Sequence, residues 1–131
     1  MERPEMLLRV PGSPEYVLAI RMLLGGAAAL MDLSVAALDD LRIAADEACD
    51  CLLHQGRAVE SLEVRVSGEG KQMTVALTAE FASGARQETE KWRERAELCQ
   101  GILEALVPQV RLSVEPGTGV RQIVLTVPRA A

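Results

Sequence analysis

Four side chains able to move a proton or hold a cation fall close together: Asp46, Glu47, Asp50 and His54. They lie in the stretch Leu41 to Gln55, which has no Gly or Pro and many small or apolar residues, so it is expected to be helical. Residues three, four and seven apart share a helix face. Glu47, Asp50, Cys51 and His54 are therefore expected to point roughly the same way, with Ile43, Ala44, Ala48, Cys49, Leu52 and Leu53 supplying apolar surface around them. A carboxylate there can act as a general base, and carboxylate oxygens suit a hard cation such as magnesium. The competing reading is a core helix with a solvated polar edge, because Asp and Glu normally stay exposed.

The elements that must position this edge follow from periodicity and punctuation. Met6 to Val10 is a short apolar run ended by Pro11 and Gly12, hence a strand. Ser13-Pro14-Glu15 suits a helix start, with Ser13 as cap and Pro14 in the first turn. That helix is expected to reach about Met31, burying a stripe of Tyr16, Ile20, Leu23, Leu24, Ala27 and Leu30 and leaving Arg21 exposed. Gly25-Gly26 weakens its middle and allows close packing or a bend. Ser34 can cap the central helix, from about Val35 to His54, which Gly56 stops.

Alternation then predicts strands at Ser61–Ser67 and Gln72–Ala79, turning at Gly68-Glu69-Gly70. Phe81 to Ala85 is a small-residue loop. A helix over Arg86–Val107 starts highly charged and ends apolar, with Leu98, Ile102, Leu103 and Leu106. Two last strands, at Val110–Val114 and Val120–Val127, flank a turn at Pro116-Gly117-Thr118-Gly119. The order predicts an α+β two-layer sandwich: a mostly antiparallel sheet of about five strands covered by three helices.

Composition narrows the function classes. The chain has 131 residues, 49% of them hydrophobic, enough for one folded domain with a real core. Phe81, Trp92 and Tyr16 are the sole aromatics and the net charge is −5, so a base-stacking or phosphate-gripping nucleic-acid surface is not expected. Val17 to Leu33, the longest apolar run, is interrupted by Arg21, Gly25, Gly26 and Asp32, too often to span a membrane. The first residues lack a signal peptide's basic start and apolar centre, so a cytoplasmic protein is expected. Cys49, Cys51 and Cys99 form no Cys-x-x-Cys pair, and Cys49 and Cys51 lie about 200° apart on a helix. Buried structural thiols are expected rather than a disulfide framework or a zinc site.

This element order, with Ser13-Pro14-Glu15-Tyr16-Val17 through Arg21, then Leu33-Ser34, then Ile43-Ala44-Ala45-Asp46-Glu47-Ala48-Cys49, resembles the anti-sigma-factor serine/threonine kinases, which share the histidine-kinase-like ATPase fold. Ile102 to Val127 is similar to the family's closing helix end, strand, turn and strand. In the family a Glu-x-x-x-Asn motif supplies the general base and the residue that holds magnesium on ATP. The resemblance places Glu47 as the base and Cys51 at the Asn position, with Asp50 as a substitute metal ligand. A register shifted by one pairs Asp46 with Asp50 and puts His54 on the family's His. The family's Asp-x-Gly-x-Gly falls on Ala79 to Gly84, where only Glu80 and Gly84 echo it. Its later Gly-x-Gly falls on Glu97 to Gly101, where only Gly101 remains.

The resemblance therefore implies a degenerate member: an anti-sigma-factor-like regulator that binds a sigma factor or an anti-anti-sigma protein, with ATP and magnesium sites largely lost. Arg21 stands where the family contacts its partners. The family also implies a homodimer, which an exposed sheet edge permits. An active serine kinase, with Glu47 as base and Asp50 on MgATP, is the alternative. A small-ligand or purely structural domain is a third reading. Trp92 and its helix are expected to cover the space a nucleotide would occupy.

Overall fold

Inward-pointing Leu62, Val64 and Val66 face inward-pointing Met73, Val75 and Leu77, and all six are fully buried. They belong to β2 (Val59–Glu69) and β3 (Gln72–Phe81), the centre of a five-stranded sheet in a computed structural model that describes residues 5–83 and 91–129. The other strands are β1 (Glu5–Pro11), β4 (Gln109–Glu115) and β5 (Gly119–Pro128). The order is β1-β2-β3-β5-β4 and every pairing is antiparallel. Three helices lie on one face: α1 (Val17–Leu30), α2 (Val35–Leu53) and α3 (Lys91–Leu106). α1 packs on β1 and β2, α2 on β3 and β5, and α3 on β5 and β4. The expected α+β two-layer sandwich is thus the observed architecture.

α2 is the middle helix, in contact with both neighbours. Ser34 caps it, its Oγ accepting from Ala37 N at 3.1 Å, and Gly56, at φ 78°, turns the chain out of it. Because α2 is flanked on both sides and lies on the sheet, it buries a wide arc: Leu41, Ala44, Ala45, Ala48, Cys49, Cys51 and Leu52.

Several local expectations shift. Ser13 does not cap; Pro14–Tyr16 is a separate 3-10 turn before α1, and the Ser13 hydroxyl donates to Glu15 instead. Tyr16 and Leu30 are exposed, and α1 buries Val17, Ile20, Leu24, Ala27 and Ala28. Ile43, expected to be apolar cover, is 55% exposed. The β2–β3 turn sits at Gly70-Lys71, so both strands run longer than their alternation suggests. α3 turns Leu98 and Ile102 outward and buries Trp92, Ala96, Cys99, Leu103 and Val107 with its end. The stripe starts in the charged half with Trp92 and Ala96 and runs on through Cys99 and Leu103; of the aliphatic residues that stand out in the sequence, Leu98 and Ile102 lie off it. The helical expectation for residues 86–90 falls outside the described residues.

No helix among the described residues is long and apolar enough to cross a membrane.

Candidate functional site

The outer edge of α2 is read from both sides by arginines. Arg21 on α1 donates from Nε to Asp46 Oδ1 at 2.7 Å. One turn further, Arg95 on α3 forms an ion pair with Asp50 Oδ2. His54, the residue that closes α2, sets its Nδ1 3.0 Å from Asp50 Oδ1 and from the Asp50 carbonyl oxygen. Two aspartates four residues apart thus tie the three helices together at the surface. The hydrogen bond and charge of Asp46 raise the pKa of Arg21 above its usual value, so this guanidinium stays protonated.

Beneath this edge lie the thiols, all buried and unbridged. Cys99 on α3 is turned toward Cys51 on α2, and its Sγ lies 3.9 Å from the Glu47 carbonyl oxygen. The neighbouring Cys99 thiol lowers the pKa of Cys51, helped by Arg95. The same neighbour, with burial, raises that of Cys99. Cys49 faces the α1 side; burial, then Asp46, pushes its thiol up to about 12.

The residues singled out in the sequence divide into three places. Glu47 is half-buried on α2, and its carboxylate takes no hydrogen bond or ion pair among the described residues. Asp50 and His54 stand beside it, each partly exposed and in contact with the other. Cys51 does not share their edge: it is 2% exposed and turned against Cys99, because α3 covers that side of α2. Glu80 lies apart. It alternates with buried Ala79, so it points away from the helices, and Arg121 donates to it at 3.3 Å. Arg121 can do so because it is the extra residue of a bulge: Ser113 pairs with Gln122 but Val114 with Val120. Its other partner is Glu115, at 2.9 Å. Gly101 is an exposed residue inside α3 with open space around it, and Gly84 lies outside the described residues. Among the described residues no three His, Cys, Asp or Glu side chains are placed to hold a metal ion.

Trp92 is buried at 8% exposure, and its helix covers the α2 side that carries Cys51. Cys99 is buried, as expected of it, but its place against α2 and the pairing of Arg95 with Asp50 do not follow from the sequence. The spacing of Trp92, Ala96, Cys99 and Leu103, at steps of four, three and four, was the available signal for the buried side of α3.

A second feature lies on the α1 side. Arg21, Met22, Gly25, Gly26 and Arg42 line an open groove of about 470 Å³ between α1 and α2. Gly25 permits it: a methyl there would meet the Arg42 guanidinium at 3.1 Å. Met22 is 71% exposed on its wall, and Leu18, one turn earlier on α1, is also exposed.

Compared with known proteins, the chain matches no family model and no curated protein.

Proposed function

We propose that the protein is a regulatory binding module of the anti-sigma-factor type, which grips a sigma factor or an anti-anti-sigma protein through the α1–α2 surface. The observation that carries this reading is the groove that sets Arg21 and Arg42 beside the exposed Met22. Arginine next to apolar surface is the residue pattern that anchors protein interfaces. Arg21 keeps side-chain exposure of 47% although it is paired with Asp46, so a partner carboxylate can reach it. The inward commitment of Cys51 and the Arg95–Asp50 pair support loss of a magnesium–nucleotide role. The test is titration calorimetry against purified sigma factors and anti-anti-sigma proteins from the same source. Binding that Arg21→Glu abolishes, with the melting temperature of the protein kept, is the expected result. Absence of binding to every such protein would sink the reading.

A second reading, an ATP-dependent serine kinase, rests on the Glu47 carboxylate, which lies beside Asp50 and takes no ion pair among the described residues. It requires a magnesium-dependent thermal shift with ATP that Asp50→Ala removes. A ligand at 100 times its dissociation constant adds about 2.7 kcal/mol, several degrees for a small domain. No shift at millimolar nucleotide would leave the binding module alone.

A further inference from the structure

We propose that Cys51 and Cys99 are a redox-active dithiol that closes into an intramolecular disulfide joining α2 to α3, with a hydroperoxide as the oxidant. The two thiols come from different helices, both are buried where α3 packs on α2, and Cys99 Sγ lies against the carbonyl oxygen one turn before Cys51. That oxygen belongs to Glu47, 3.9 Å away. Ala48 and Ala96, both buried, keep the helix surfaces here small. Close backbones are what a disulfide needs, since its two Cα atoms must lie within about 7 Å. Cys49 is no competitor: it points to the α1 side, where Asp46 and Arg21 are its charged neighbours.

Arg95, ion-paired with Asp50 next to Cys51 in the chain, favours a thiolate in this pair, and the thiolate is the attacking species in thiol oxidation; in the proposed step Cys51 is the attacker. The Cys51 thiolate attacks one peroxide oxygen; the O–O bond breaks, and hydroxide leaves and is protonated to water. Cys51 is then a sulfenic acid. The Cys99 sulfur attacks the Cys51 sulfur, the S–O bond breaks, and hydroxide leaves with the Cys99 proton as a second water. Two thiols and one hydrogen peroxide become one disulfide and two waters. Both cysteines are only 2% exposed, so peroxide reaches them when α3 lifts from α2. The bond then fixes α3 over the Glu47–Asp50 side of α2.

The experiment treats the full chain with hydrogen peroxide without denaturant, then blocks free thiols in denaturant and measures intact mass. The expected result is the loss of two hydrogens, reversed by dithiothreitol, with one alkylated cysteine left. Fragmentation between Cys49 and Cys51 in the unmutated protein maps the bridge to Cys51–Cys99. Cys49→Ala keeps the bridge, and Cys99→Ser loses it. A bridge through Cys49, a disulfide-linked dimer, oxygen addition without a bridge, or three thiols still free would each overturn the proposal.

Discussion

The side-chain amide of Gln55 pairs with the backbone of Val120 as if it were a neighbouring strand. Its Nε2 donates to Val120 O at 2.7 Å, and its Oε1 accepts from Val120 N at 2.7 Å. Gln55 lies just beyond α2 and Val120 is the second residue of β5, beside the bulge where the ladder with β4 is irregular. Both residues are buried. Nε2 also donates to Leu52 O at 3.3 Å, so one amide satisfies three main-chain groups and fixes the end of α2 against the sheet.

Replacing Gln55 with Leu leaves both Val120 groups buried without partners. Each such group costs about 1–3 kcal/mol, so the variant is expected to lose about 2–4 kcal/mol in urea unfolding, without a change in slope. A loss under about 0.5 kcal/mol would mean that Val120 is satisfied another way.

Stability is expected to fall in alkali. The folded-state pKa of Cys49 is raised from 9.0 to about 12 by burial. Its stabilising contribution is complete below the unfolded value and is lost as pH climbs through the folded one, since the unfolded chain gives up its proton first. The window is therefore about pH 9 to 12, with a slope near 1.4 kcal/mol per pH unit from this thiol. In Cys49→Ala the slope of unfolding free energy over that window should be shallower; an unchanged slope would refute the assignment.

Two glycines should respond in opposite directions. A methyl on Gly12 runs into the Val59 carbonyl, which is backbone and cannot step aside, so Gly12→Ala is expected to cost about 1–3 kcal/mol. Gly26, inside α1, has nothing within 4 Å of that position. Gly26→Ala should stabilise by about 0.5–1 kcal/mol through helix propensity. Thermal melts of the pair check both signs, and a stabilised Gly12→Ala would disprove the contact.

The Arg21–Asp46 pair should contribute little to folding. Its partners keep side-chain exposures of 47% and 40%, and exposed pairs typically yield under about 1 kcal/mol. A double-mutant cycle with Arg21→Ala and Asp46→Ala is expected to give a coupling in that range. A coupling above about 2 kcal/mol would make Arg21 a structural residue, and its substitution would no longer isolate partner binding.

Much of the fold was legible in the chain because it is written in local periods. Leu62, Val64, Val66 and Met73, Val75, Leu77 alternate as a half-buried sheet must, and α2 is bracketed by the Ser34 hydroxyl at its start and the positive φ of Gly56 at its end. The clustering of Asp50 and His54 was equally legible, since they are one turn apart on one helix. What the period of a helix cannot say is which neighbour lies on which side. Cys51 looks like part of the acidic edge in projection, yet α3 lies across it and turns it into core. Ile43 looks like core, yet it is left more than half exposed. The arginine partners of Asp46 and Asp50 come from 25 and 45 residues away, and the Gln55–Val120 pair spans 65. Those contacts depend on the order of helices over the sheet, and only the tertiary structure decides it.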